Sequence, residues 1–231
     1  MKTLRFTLIA DFAASLLLSP SYARADQQVS APTTQGSYDY QFSSDGASYG
    51  VISDALYIGL EPTGFMDTTF HNYFVFDLTQ VPIGDTITSA TFTITGMSPQ
   101  FGPGTIDLLS TNLSPSLVLS ASTQDDLQSV FDGLVSGASL SSNTIITPNQ
   151  NYFNEYDATV TANADFLSLL NANIGGTVVI GNNGGNDGLY FGGSAALDIA
   201  AVPEPSTLAL VGAILSAAVV GRARNSRGRW A

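Results

Sequence analysis

The residues that could carry out chemistry in this chain are few and scattered. His71 is the only histidine in the chain. A catalytic base needs a nucleophile or an orienting carboxylate beside it. Asp67 and Asp77 are near in sequence, but they form no recognised motif with His71. We interpret His71 as a structural residue at a strand edge and predict that the chain is not an enzyme.

Paired carboxylates are the second candidate, because two of them can hydrolyse a glycosidic bond or share a cation. Glu155 and Asp157 lie two residues apart on a predicted strand, so they should share one face. Asp125 and Asp126 begin a predicted helix, where acids favour the helix dipole. We interpret the helix pair as structural. Glu155 and Asp157 are either solvated or ligands of a metal ion.

The loop at residues 181–190 holds two further candidate metal ligands, Asn186 and Asp187. Calcium takes six to eight oxygen ligands from carboxylates, amides and carbonyls. The Gly-Asn-Asp-x-Leu-Tyr segment resembles one turn of the calcium-binding Gly/Asp nonapeptide repeat. A single copy cannot build that stacked site, and the alternative is a Gly/Asn hairpin loop. No cofactor is required by the sequence, and calcium is the one that it suggests.

Charge is distributed unevenly along the chain. All seven Lys and Arg lie between residues 2 and 24 or between 222 and 229, while every acid except Asp11 and Glu204 lies between 26 and 202. A nucleic-acid surface needs clustered Lys and Arg, so we expect no nucleic-acid partner. The chain has no cysteine, which excludes disulfides and thiolate catalysis. An acidic body without cations would find its natural partners in divalent ions outside the cell.

The N-terminus has the pattern of a secretory signal peptide over residues 1–25. A basic start precedes an apolar stretch from Phe6 to Leu18, and Ala23 and Ala25 form a small-x-small cleavage site. The polar residues 26–40 that follow are predicted to be a flexible lead-in. The sequence therefore predicts export of the body that begins near residue 41.

The C-terminus, residues 202–231, has a three-part pattern. Pro203-Glu204-Pro205 precedes an apolar run over 207–221. Four arginines then close the chain: Arg222, Arg224, Arg227 and Arg229. Fifteen residues span about 22 Å as a helix, so crossing the ~30 Å hydrocarbon core needs snorkelling arginines. The positive-inside rule keeps these arginines in the cytoplasm and the body outside. A permanent single-span anchor and a removable tail both fit.

This order of parts resembles the PEP-CTERM sorting signal of exosortase substrates. The resemblance implies that a transpeptidase-like membrane enzyme of Gram-negative bacteria recognises residues 203–205 and removes the tail. It also implies a precursor held transiently in the inner membrane and a product at the cell surface or in the extracellular matrix. The partners implied are exosortase, the secretion machinery and exopolysaccharide.

The body, residues 41–201, alternates apolar and polar residues in short runs separated by turn residues. Predicted strands cover 48–52, 55–60, 73–78, 87–95, 104–109, 116–120, 152–160, 177–181 and 189–199. Two short helices are predicted, one from a cap at Ser122 to Gly137 and one over 162–173, each closing an end of the fold. We predict a mainly β, antiparallel β-sandwich of jelly-roll type, plus a signal helix and a transmembrane helix.

Residues 72–95 resemble the β-sandwich domains of PEP-CTERM proteins and are similar to DNRLRE-type surface domains, some of which bind polysaccharide. We therefore expect a structural surface or extracellular-matrix protein. The alternative is a carbohydrate-binding module with Tyr49, Tyr57 or Phe101 as stacking platforms. The body has no Trp, which counts against this alternative. A secreted hydrolase ranks last.

Overall fold

The computed structural model describes residues 27–43, 46–53, 56–62, 67–101, 105–141, 144–148, 155–183 and 189–203. Residues Gln27–Ala201 form one compact unit. The strands are β1 (Gln27–Ala31), β2 (Thr33–Ser43), β3 (Gly46–Ser53), β4 (Tyr57–Pro62), β5 (Asp67–Asp77), β6 (Asp85–Phe101), β7 (Thr105–Ser110), β8 (Thr144–Ile145), β9 (Thr147–Pro148), β10 (Tyr156–Thr161), β11 (Thr177–Asn183) and β12 (Leu189–Pro203). The helices are α1 (Pro115–Ser120), α2 (Gln124–Leu134) and α3 (Ala164–Ala172).

The strands form two antiparallel sheets that β4 joins. One sheet contains β3, β2, β5, β11, β7 and β8, and the other contains β1, β12, β6, β10 and β9. β4 pairs with β5 on one side and with β12 on the other. The prediction of a mainly β, antiparallel fold with short helices is confirmed at this level.

β5 is the central strand, and its alternating side chains separate two apolar cores. Phe74 and Phe76 point into the inner core, which lies between the two sheets and includes Phe92 of β6. The rings of Phe74 and Phe92 meet edge to face at 4.8 Å. Helix α3 contributes the fully buried Phe166 and Leu170 to this core. The inner core thus holds the sheets together.

The outer core lies on the opposite face of β5, under α1 and α2. Its buried members are Tyr38, Tyr73, Val75, Val118, Leu127, Val130, Phe131, Leu134 and Val179. The four members from α2 occupy the i, i+3, i+4 and i+7 positions of an amphipathic helix, as predicted. Helix α2 therefore covers a face of a sheet, and the prediction that it closes an end of the fold is wrong.

Two local predictions near these helices are also corrected. Residues 116–120 lie in α1 and not in a strand, because Ser114 caps the helix and accepts a hydrogen bond from the Leu117 amide. Pro115 occupies a first-turn position, where its missing N–H costs nothing. Thr123, and not Ser122, caps α2.

The predicted flexible lead-in at 26–40 is corrected as well, because residues 27–31 and 33–40 belong to β1 and β2. β1 buries Val29 and Ala31 in the inner core. β2 lies between β3 and β5 and buries Tyr38 in the outer core. Most residues of this segment are polar or small, so the alternation of apolar and polar residues that identifies a strand is hard to recognise.

Candidate functional site

The two predicted targeting segments join the body at one strand pair. β1 pairs antiparallel with β12, and Gln27 lies opposite Ala201. Directly opposed Cα atoms in such a pair are about 5 Å apart. The predicted cleavage site at Ala25 precedes Gln27 by two residues, and Pro203 follows Ala201 by two and is the last residue of β12. Both attachment points therefore lie at the same end of the same strand pair.

Apolar burial holds this strand pair in place. Val29 is buried opposite Ile199, and Ala31 is buried opposite Leu197. Ile199, Leu197 and Ala201 are fully buried in the inner core. The main-chain hydrogen bonds of β1 are therefore supported by side chains that cannot leave the core without exposing apolar surface.

Most residues of the predicted sorting and metal sites lie outside the described residues. These are Ala23, Ala25, Asn186, Asp187, Glu204, Pro205, Arg222, Arg224, Arg227 and Arg229. The predicted signal helix at 1–25 and membrane span at 207–221 lie outside them too. Within the described part of the chain, no helix has the length and apolar character needed to cross a membrane.

His71 is buried in the outer core beside α2. Its Nδ1 lies 2.8 Å from the Phe131 carbonyl oxygen, so Nδ1 is the protonated nitrogen that donates. The imidazole stacks on the Phe131 ring at 3.8 Å. Burial lowers the pKa of His71, against smaller opposing effects of the Phe131 carbonyl and Asp132. Asp77 lies six residues along β5, about 20 Å away. The hydrogen bond and the stacking hold the imidazole against α2.

Asp157 supports a bulge in β6. The register between β10 and β6 shifts between Tyr156 and Ala158, and Gly96 has a φ of 74°. Asp157 Oδ1 accepts a hydrogen bond from the Gly96 amide at 2.9 Å. Glu155 directly precedes β10, and its Oε2 also lies near Gly96. Among the described residues, no group of three or more His, Cys, Asp or Glu could hold a metal ion.

The predicted sugar-stacking tyrosines pack against other rings of the body. The half-buried Tyr49 lies 5.2 Å from the Tyr40 ring and 5.6 Å from the Phe131 ring. The half-buried Tyr57 stacks on Phe70 at 5.0 Å. The side chain of Phe101 is not among those that the structure describes. One side of each described tyrosine ring is therefore occupied within the protein.

A buried polar ladder, which the sequence analysis missed, crosses the first sheet. Ser37, Asn72 and Asn182 stand in register on β2, β5 and β11 and are fully buried. Asn72 donates to Ser37 Oγ at 2.7 Å and to the Tyr57 carbonyl at 2.8 Å, and Asn182 donates to Asn72 Oδ1 at 3.0 Å. The sequence does contain a signal for this ladder. Asn72 lies two residues before Phe74 and four before Phe76, so in a strand it faces the same core as these two rings.

Three side-chain amides clamp strands by binding the main chain with both of their polar atoms. Gln124 of α2 binds the N–H and C=O of Tyr49, and Asn171 of α3 binds those of Ile87. Gln35 of β2 binds the Gly193 carbonyl and the Ala195 amide across the inner core. Residues 25–221 contain no Lys or Arg, so amides take the docking role that ion pairs have elsewhere.

Comparison with known proteins finds no relative of this chain. No family model, curated protein or solved structure matches the chain.

Proposed function

We propose that this chain is an exported precursor whose body is released by two cleavages, one after Ala25 and one near Pro203-Glu204-Pro205. The observation that carries the proposal is the β1–β12 pair, in which Gln27 lies opposite Ala201. Two segments that leave the body at adjacent points can enter one bilayer without a linker. After both cleavages, the new termini remain held by the same buried strands.

The second cleavage would be made by an exosortase-type enzyme. This choice of enzyme is supported by the order of the Pro-Glu-Pro motif, the apolar run and the arginines between residues 203 and 229. The product would be a jelly-roll-like β-sandwich at the cell surface or in the extracellular matrix of a Gram-negative bacterium, associated with exopolysaccharide. A structural role is supported by His71 and Asp157, whose polar atoms bind main chain within the body.

The test is intact-mass measurement of the protein from an exosortase-bearing Gram-negative host. We expect a wild-type product that begins at Asp26 and ends near residue 203. Glu204→Gln should leave the tail attached and keep the protein in the membrane fraction. Glu155→Gln, a matched acid outside the motif, should be processed normally. An uncut wild-type chain in the cytosol would overturn the proposal.

Carbohydrate binding is a second candidate that one observation favours. Phe42 is 60% exposed, and alternation along β2 places it on the same face as the half-buried Tyr40. Two neighbouring rings of this kind can stack on sugar rings. A glycan array should show that the wild-type body binds sugars and that Phe42→Ala does not. If the wild type binds none, this candidate is rejected in favour of the structural role.

A further inference from the structure

One end of the body carries both chain attachment points and an exposed turn. Gln27 and Ala201 lie opposite each other and mark where the N- and C-terminal segments join the body. The Thr88 hydroxyl of β6 donates to the Ala200 carbonyl at 3.3 Å, so the start of β6 lies beside the end of β12. The turn over residues 79–84, which connects β5 to β6, therefore lies at the same end as both attachment points.

This turn presents an apolar side chain to solvent. Ile83 is 88% exposed, more than any other large apolar residue among those described. The Asp85 amide donates to the Pro82 carbonyl at 3.1 Å, and Gly84 has a φ of 95°, as in a type II turn with Ile83 in its second position. The backbone angles of that second position suit polar residues as well. The fold therefore does not require an apolar side chain at 83.

The sequence limits how far this end can lie from the predicted membrane span. Four residue steps separate Pro203, the last residue of β12, from the start of the span at 207. An extended chain advances about 3.3–3.6 Å per residue, so this connection reaches at most about 14 Å. The headgroup region itself is about 5–8 Å thick on each side of the hydrocarbon core. The turn is therefore held next to the headgroups whenever the tail is in the membrane.

The charges at this end indicate which lipid surface it fits. The acids here are Asp77, Asp85 and Asp198, with Asp26 and Glu204 beside the attachment points in the sequence. The Asp77 carboxylate accepts hydrogen bonds from the N–H and the hydroxyl of Thr79, and Asp85 is buried. Residues 25–221 contain no Lys or Arg that could attract anionic lipid. A shallow contact with a zwitterionic leaflet suits this end, because its exposed acids stay in the hydrated headgroup layer.

We propose that the turn over residues 79–84 rests on zwitterionic phospholipid headgroups while the tail is in the membrane, with Ile83 inserted into the interface. The body then stands end-on, and the sorting motif at 203–205 is held at the membrane surface. This inference rests on the membrane-held precursor proposed above.

Spin labelling of the full chain in phosphatidylcholine vesicles tests the proposal. The chain has no cysteine, so Ile83→Cys creates a single labelling site. We expect the nitroxide at 83 to collide more often with oxygen, which concentrates in lipid, than with a water-soluble nickel complex. The matched control is Phe42→Cys, another exposed apolar position. Its neighbour Gln41 lies opposite Thr68 near the start of β5, about 30 Å from the turn, so this label should collide mainly with the nickel complex.

Flotation of the same samples with the vesicles separates the two proposals. A chain that does not float overturns this proposal together with the membrane-held precursor. A chain that floats but carries a water-exposed label at 83 overturns this proposal alone. Labels at 83 and 42 that both favour oxygen would also overturn it, because the body would then lie flat on the bilayer.

Discussion

The two faces of β5 differ in size and in what their buried polar groups bind. On the inner face, Phe74 and Phe76 pack against Phe92 in a cluster of 25 buried residues among those described, and Asn72 on the same face links neighbouring strands through the polar ladder. On the outer face, nine buried residues are combined with directional hydrogen bonds. There the Tyr38 hydroxyl donates to the Val118 carbonyl at 2.6 Å, and His71 donates to the Phe131 carbonyl at 2.8 Å.

This difference in size bears on which part of the body opens first. Apolar burial contributes in proportion to area, so the larger inner core should carry most of the stability. The outer core is smaller, and its hydrogen bonds join the sheet to α1 and α2. We therefore expect α2 to be the part of the body that opens first.

The largest effect should come from the inner core. Phe92→Ala removes a fully buried ring and leaves a cavity, so we expect a loss of about 3–5 kcal/mol in the free energy of unfolding. Urea denaturation measures this loss. Thr95→Ala, at an exposed position on the same strand, should change stability by less than about 0.5 kcal/mol. Similar values for both variants would contradict the importance of the inner core.

The polar ladder should give the next largest effect. Asn72→Leu removes the acceptor of the buried Asn182 amide and two hydrogen bonds that Asn72 donates, while Ser37 Oγ keeps its bond from the Tyr57 amide. A buried group left unsatisfied costs about 1–3 kcal/mol, so we expect a loss of about 1–3 kcal/mol in urea denaturation. The control Asn183→Leu changes an exposed neighbour on β11. Equal stability of the two variants would show that the ladder is dispensable.

The outer core should respond more weakly to loss of one hydroxyl. Tyr38→Phe keeps the ring and removes the hydrogen bond to Val118, for a loss of about 1 kcal/mol at neutral pH. Burial, with a smaller effect of Tyr73, raises the pKa of Tyr38 to about 12. In the unfolded chain the Tyr38 hydroxyl has its ordinary pKa of about 10, so it ionises at a lower pH than in the folded chain. The wild type should therefore lose stability as the pH rises from 10 to about 12. Tyr38→Phe should lack this part of the alkaline loss, and identical alkaline curves would contradict it.

The smallest effect should come from His71. Its pKa is lowered by burial, so its contribution is present above the ordinary value of 6.5 and is lost as the pH falls through the folded-state pKa. Thermal unfolding between pH 7.5 and 5 measures this loss, and His71→Phe should flatten the curve. A variant as acid-sensitive as the wild type would assign the loss to other groups.

Sequence patterns predicted the parts of this fold that repeat regularly. The helical period of Leu127, Val130, Phe131 and Leu134 predicted α2, and the apolar alternation around Phe92 predicted β6. β1 and β2 were not predicted because their residues are mostly polar. These segments form strands by pairing with β12 and β5, which are distant in the sequence. α1 was read as a strand because Leu117, Val118 and Leu119 also suit a buried strand.

The candidate sites were less predictable for a related reason. The clamp from Gln35 to Gly193 joins residues 158 positions apart, and no local pattern encodes such a pairing. The bond from the Gly96 amide to Asp157 depends on the bulge in β6, which simple alternation does not predict. The targeting segments, by contrast, are recognised from composition and order alone, and they remain predictions.

Native-state hydrogen exchange tests the division between the two cores most directly. We expect the amides of α2 and of Tyr49 to exchange through a partial opening, with a lower free energy than the amides of β5 and β6. Exchange of all these amides at the free energy of global unfolding would contradict the account, because the outer core would then open only with the inner core.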